Sequence, residues 1–420
     1  MKKYIGILYL FLCTTFAVCQ QKKSNDELLV PVYKLPELLL CNNGQKVINV
    51  DQWEKNRRPE LLKIFASEMY GKTPTERIHV EYDIISVNTK DINGKATSKQ
   101  VKFTFSNNGK KVEAILLLYI PNQIKGKVPV FVGYNFKGNH STTLDTTILY
   151  SPIFHLIKAP DHPDWQRGIQ MDRWCYEKII DRGYAVATMC YHDIFPDKIG
   201  LKEHSIASLF SDYNPQSKVP DEWQAIGVWA WGSSRIVDYL EFEEESIDTD
   251  KIAIVGHSRQ GKAALWAGAQ DTRFRVVISN NSGAGGAALS KRIFGETVAQ
   301  VSSIEPSWFC SAFNKYRDNE DKLEFDQHQL VALIAPRKVY IASAEEDSWA
   351  DPIGEFLSAY HASPVYELYG LSGISSNKMP NIHEPIIYDI GYHIRSGKHD
   401  VTDYDWTCFM DFTDKHFFNK

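Results

Sequence analysis

Cysteine is scarce and unpatterned in this sequence. Seven occur in 420 residues, and no two stand in CxxC spacing, so neither a zinc knuckle nor a disulfide framework is indicated. Cys13 and Cys19 lie in the N-terminal apolar stretch, while Cys41, Cys175, Cys190, Cys310 and Cys408 are widely scattered. Buried thiols are the expectation, with one bridge open to them in an oxidising compartment. HExxH is missing and no His/Asp cluster has ligand spacing, so neither a metal nor any other cofactor is expected. Basic charge is equally short. The formal net charge is -5, and its interspersed signs form no concentrated basic surface, which argues against nucleic acid as a partner. Beyond the N-terminus no window reaches 18 apolar residues, so nothing in the mature chain is expected to span a membrane.

What is present describes an ordinary globular protein, 43% hydrophobic and 24% charged. Lys2-Lys3 followed by the apolar run Tyr4 to Val18 read as a secretory signal over residues 1–19, too short to span a bilayer. Cleavage after Ala17-Val18-Cys19 would leave Gln20 first. Alternatively Cys19 is itself lipid-modified, although Phe16-Ala17-Val18 fits the small-residue box poorly. The expected location is periplasmic or extracellular, with an outer-membrane lipoprotein as the alternative form. Residues 20–45 read as a tether, with Lys22-Lys23 solvated, and an extended lead-in. Residues 46–420 then form a single catalytic domain, expected to be a monomer.

Helical spacing of Trp53, Leu61, Leu62, Ile64, Phe65 and Met69 predicts a helix over 52–70, ended by Gly71. Strand-like alternation over 79–88, 100–107 and 111–120, separated by Asn-Gly turn signals, predicts an antiparallel opening. The character then changes. Short apolar strands at 128–136, 184–191, 251–255, 275–280 and 338–344 alternate with helices at 172–181, 221–240 and 261–269. That alternation implies βαβ units, a mainly parallel central sheet and helices on both faces, a three-layer αβα sandwich. Between the strands at 128 and 184 lie about 45 residues rich in His, Trp, Pro and Asp, and loops that long usually wall a site.

The chemistry begins at Lys251–Gln270, KIAIVGHSRQGKAALWAGAQ. An apolar strand runs into Gly256-His257-Ser258-Arg259-Gln260-Gly261 and a helix follows at once. Such a turn exposes a serine Oγ and aims a helix N-terminus at a developing oxyanion. The α/β-hydrolase elbow GxSxG is altered here to GxSxxG; the competing reading is a merely structural turn. Arg259 offers its N–H and its guanidinium to an oxyanion, or else pairs with a surface carboxylate. Lys262 opposes the helix dipole, which points to a partner elsewhere. The hydrolase order is serine, acid, histidine. After Ser258 come His328, His383, His393, His399 and His416; His399, in a glycine-containing loop before a C-terminal helix, is favoured as base over His393. His328 fits either a place near the site or a buried, hydrogen-bonded role. The strand at 338–344 ends in Glu345-Glu346-Asp347, three candidate acids between which the pattern does not choose.

These residues resemble the glucuronoyl esterases, carbohydrate esterase family 15, of the α/β-hydrolase superfamily. GHSRQGKAALWAGAQD is similar to the family's GCSRxGK motif. The likeness continues in NSGAGGAALSKRIFGE at 281–296, DQHQLVALIAPRKVYIASAEEDSWADPIGEF at 326–356 and GYHIRSGKHDVTDYDW at 391–406, and an opening helix, WEKNRRPELLKIFASEMYGKTP, matches upstream. The resemblance implies that Ser258 is the nucleophile, Arg259 the oxyanion-stabilising arginine and His399 the base. It also implies that Lys262, Glu296 and Trp349 contact the glucuronoyl sugar. Many members carry a catalytic Glu where this chain has Asn281; in bacterial relatives an acid after the late strand serves instead, and Asp347 is similar to that one. The implied activity is hydrolysis of (4-O-methyl)glucuronate esters, such as those joining glucuronoxylan to lignin alcohols. An acetyl xylan esterase or other carbohydrate esterase on the same scaffold is the alternative, and a non-catalytic carbohydrate-binding protein the rival from another class.

Overall fold

The computed structural model describes residues 25–157, 165–214 and 216–418. The expected signal segment 1–19, Cys19 and Lys22-Lys23 lie outside the described residues. Ten strands form one sheet: β1 (His79–Asp91), β2 (Ala96–Asn107), β3 (Lys110–Pro121), β4 (Val128–Asn135), β5 (Ala185–Cys190), β6 (Ile247–His257), β7 (Phe274–Asn280), β8 (Lys338–Ala344), β9 (Ile386–Ile387) and β10 (Ile390–Arg395), in the order β1-β2-β3-β5-β4-β6-β7-β8-β10-β9. Strands β1 to β3 are antiparallel, and β5, β4, β6, β7, β8 and β10 run parallel. The β2–β3 hairpin closes on Asn108-Gly109, both at positive φ (49° and 75°), the conformation an Asn-Gly turn accommodates without strain.

Helices lie on both faces, which makes this the α/β-hydrolase architecture. Helix α1 covers 50–70; Asn49 caps it by accepting from Gln52 N at 2.9 Å, and Trp53, Phe65 and Met69 are wholly buried. It stops at Gly71, φ 84°, where a Cβ would come within 2.3 Å of the Glu222 carbonyl oxygen. Helices α2 (Ala225–Phe242), α3 (Arg259–Gln270) and α4 (Pro352–Leu368) pack on the same side, against Leu116, Leu118, Val130, Val132 and Ile254. On the opposite side α5 (Asp403–Phe418) brings Trp406, Phe409 and Phe412 against Phe131, Val186, Ala253 and Ile278. Neighbouring residues of one strand thus serve opposite cores, which explains why the parallel strands read as unbroken apolar runs.

Three expectations are corrected. The helix expected over 221–240 begins only at Ala225, because Gln224 N–H is spent on Tyr70 O (3.3 Å) and holds that stretch extended. The one expected over 172–181 is confined to Tyr176–Asp181, after a separate turn at Met171–Arg173. Strand β10 is absent from the expected strands, since Gly391, His393 and Arg395 break its apolar pattern; all six of its residues are buried beside β8. The stretch 25–45 is strapped down: Arg57 donates to Leu38 O and Glu37 O (both 3.2 Å), His328 Nε2 meets Pro36 O at 3.0 Å, and Arg292 pairs with Glu27. His328 is therefore a buried residue that anchors this strap. Cys41, Cys190, Cys310 and Cys408 are buried thiols, and Cys175 is half-buried.

Candidate active site

Ser258 sits between the last residue of β6 and the first of α3, with φ 57° and ψ -129°. Little but glycine adopts that region freely, and a serine held there stores strain that the surroundings must balance. The surroundings do: Ser258 N–H donates to Asn280 O (2.9 Å) and Gly261 N–H to Ser258 O (2.8 Å). At Gly256 a Cβ would fall 2.0 Å from Gln260 O, and at Gly261 it would lie 2.9 Å from Ser279 Oγ and Ser282 Cβ. The second glycine of the motif therefore comes late because α3 touches the end of β7 at 261, not at 260. Arg259 opens α3, so its N–H is one of those with no intrahelical acceptor.

The candidate acid and base arrive from the ends of neighbouring parallel strands. Glu345 N–H bonds Arg395 O (2.8 Å) and Glu346 N–H bonds Gly397 O (3.0 Å), which stitches the loop after β8 to the loop after β10. Glu345 and Glu346 side chains are exposed, whereas Asp347 is buried and meets His399 Nδ1 at 2.6 Å through Oδ2. The same oxygen accepts from Asn281 Nδ2 at 2.9 Å. Burial pushes the Asp347 carboxyl up, but the His399 hydrogen bond and charge, with the Asn281 amide, outweigh it and hold the group below its ordinary value. A carboxylate only accepts, so the His399 proton resides on Nδ1 and Nε2 keeps its lone pair. The His399 side chain is 41% exposed, open to a substrate. His393 is wholly buried between Tyr340 OH (3.0 Å) and Asp405 (2.9 Å). Asp405 also takes Arg395 Nε and Thr402 N–H, each at 2.7 Å, clasping both ends of the loop that bears His399.

Arg259 pairs with Asp197, a side chain with no exposure, so the carboxylate is an internal one rather than a surface one. Asp197 is itself held by Trp308 Nε1 (2.8 Å) and Tyr191 OH (3.1 Å), and the guanidinium lies 4.6 Å from the Trp308 ring centre. Lys262 is buried and gives its three N–H groups to Ser282 O (2.7 Å), Ala284 O and Glu296 Oε2 (3.3 Å). It reaches a sugar hydroxyl only by giving one of them up. Glu296 Oε1 accepts from Trp349 Nε1 at 3.2 Å. The Ser282–Gly283 amides beneath are held by Glu355, at 2.7 and 3.0 Å. Sequence reasoning missed Asp197, Trp308 and Glu355. No spacing rule ties Asp197 to an arginine 62 positions later, and only a buried acid just after a parallel strand could have drawn notice. Among the described residues no group of three His, Cys, Asp or Glu side chains could hold a metal ion, and no helix is long and apolar enough to cross a membrane.

A family model described as glucuronyl esterase, fungi, matches residues 173–370. The curated carbohydrate esterase MZ0003, from an unknown prokaryotic organism, is 43% identical over 93% of this chain and 91% of its own. The chain belongs to the glucuronoyl esterases of carbohydrate esterase family 15. A solved glucuronoyl esterase from Solibacter usitatus matches 92% of this chain and 99% of its own at 42% identity, TM-score 0.86. A structure described as a promiscuous CE15 esterase from the marine bacterial metagenome matches 94% of this chain and all of its own, also at 42% identity, TM-score 0.85. This family 15 member is a carboxylic ester hydrolase.

Proposed function

We propose that the protein hydrolyses C6 esters of (4-O-methyl)glucuronic acid, as in lignin–glucuronoxylan linkages, through Ser258, His399 and Asp347. The observation that carries this reading is the 2.6 Å bond from His399 Nδ1 to a buried Asp347, with the His399 ring centre 4.5 Å from that of His257, the residue before a serine strained at φ 57°. Ser258 Oγ attacks the C6 carbonyl while His399 Nε2 takes its proton. The oxyanion forms next to the Arg259 N–H and a guanidinium that Asp197 and Trp308 hold in place. His399 then returns the proton to the departing alcohol, and water, deprotonated by the same nitrogen, frees the acid from Ser258. Glu296 and the Trp349 ring receive the sugar, and Lys262 fixes the charge and direction of Glu296. An acetyl ester has no sugar ring on its acyl side to use that cluster, whereas a glucuronoyl ester does.

The second reading, a broader carbohydrate esterase, is favoured by the promiscuity stated for the marine metagenome relative. Comparing kcat/KM for benzyl glucuronate and for an acetylated xyloside separates the two. The uronate reading expects a preference of at least tenfold for the glucuronate ester; equal or reversed values reject it. The Lys2-to-Val18 pattern supports export to the periplasm or beyond. Labelled palmitate in the cell-associated protein would place a lipid on Cys19, and a mature chain starting at Gln20 would exclude it.

A further inference from the structure

One buried group beside the base has no part in these steps. His257 immediately precedes Ser258. Its ring centre lies 4.5 Å from that of His399 and 6.0 Å from that of Phe136, so it is packed between the two. Nδ1 meets Asn280 Oδ1 at 3.0 Å, while Nε2 is buried with no hydrogen-bond partner among the described residues. An amide oxygen only accepts, so Nδ1 carries the proton and Nε2 is bare. Burial, then the neighbouring His399, Arg173 and Arg395, press the ring to stay uncharged, well below the usual histidine range. Leaving a bare nitrogen buried destabilises the fold, yet the neutral ring, tilted 44° to that of His399, puts π electrons in contact with the imidazolium that His399 becomes.

We propose that His257 is a positioning residue for the general base: its ring, locked by Asn280, packs against His399 and steadies the imidazolium formed at each turnover. The inference rests on the Ser258–His399–Asp347 reading. The charged groups that face the pair are Asp347 from the loop after β8, Arg395 from β10 and Arg173 from the 171–173 turn; the arginines are matched by Asp405 and Asp400 at 2.7 Å each. None changes when His257 is replaced.

The test compares His257→Ala and His257→Phe on benzyl glucuronate, with kcat, KM and melting temperatures. His257→Ala should lower kcat roughly three- to thirtyfold with KM within twofold. His257→Phe keeps a neutral ring and should recover most of the lost kcat. An alanine variant with wild-type kcat overturns the proposal, as does a loss that only tracks the folded fraction. A phenylalanine variant no better than alanine also overturns it. Ser258→Ala, run in parallel, keeps the two claims apart: if it retains activity the triad reading fails, and if it is dead while His257→Ala is normal only this inference falls.

Discussion

Replacing Asp347 by asparagine isolates the charge that the proposed triad acid supplies. Asp347 Oδ2 accepts from both His399 Nδ1 and Asn281 Nδ2, so an asparagine that places its Oδ1 there keeps both hydrogen bonds and the His399 tautomer. What it loses is an anion beside the imidazolium. Two unit charges about 4 Å apart interact by about 4 kcal/mol at an effective dielectric of 20. The 41% exposure of His399 screens part of that, leaving about 2–4 kcal/mol, or roughly thirty- to a thousandfold in kcat. Asp347→Ala also frees the imidazole to rotate, and should cost more, on the order of ten-thousandfold. The assay is steady-state hydrolysis of benzyl glucuronate. Turnover within threefold of wild type would refute the reasoning and leave Asp347 a loop anchor.

Two further outcomes follow from the same geometry. Arg259→Ala should lower kcat about a hundred- to a thousandfold with little change in KM, and Asp197→Asn, which leaves the guanidinium present but loosely held, should lower it less; a raised KM with kcat unchanged would mean the arginine binds ground state and transition state alike. Burial lifts the Glu355 carboxyl to about 8, so this raised acid stabilises the fold fully below about pH 4, the unfolded value, and the contribution drains away as pH climbs to the folded one. Glu355→Gln, which keeps an oxygen for the Ser282 and Gly283 amides, should therefore show a shallower fall in urea-unfolding free energy from pH 5 to 8, and an unchanged slope would contradict the burial argument.

Much of this architecture was legible because one physical signal dominates each legible part. Strand β8 was bounded correctly at 338–344 since every residue after its first is buried on both faces. The Ser258 turn was readable because Gly256 is sterically obligatory between a strand and a helix. Strand β10 escaped because His393 is held by Tyr340 and Asp405 and Arg395 by Asp405, contacts that no local pattern announces. The acid was ambiguous for the same reason: Glu345, Glu346 and Asp347 are alike in sequence, and burial against His399 distinguishes one. Lys262 announced a partner through its opposition to the helix dipole, but which acceptors it would meet, Ser282 O, Ala284 O and Glu296, is a property of tertiary structure. Asp197 and Trp308, which hold Arg259, left no trace that spacing could reveal.

The central claim is that ester hydrolysis passes through Ser258, and the rate of purified Ser258→Ala on benzyl glucuronate tests it most directly. Removing a nucleophile from a serine triad lowers kcat by roughly a million-fold in such enzymes, and the account expects a loss of at least ten-thousandfold in a variant that melts within a few degrees of wild type. A folded Ser258→Ala protein that cleaves the ester at the wild-type rate would contradict it.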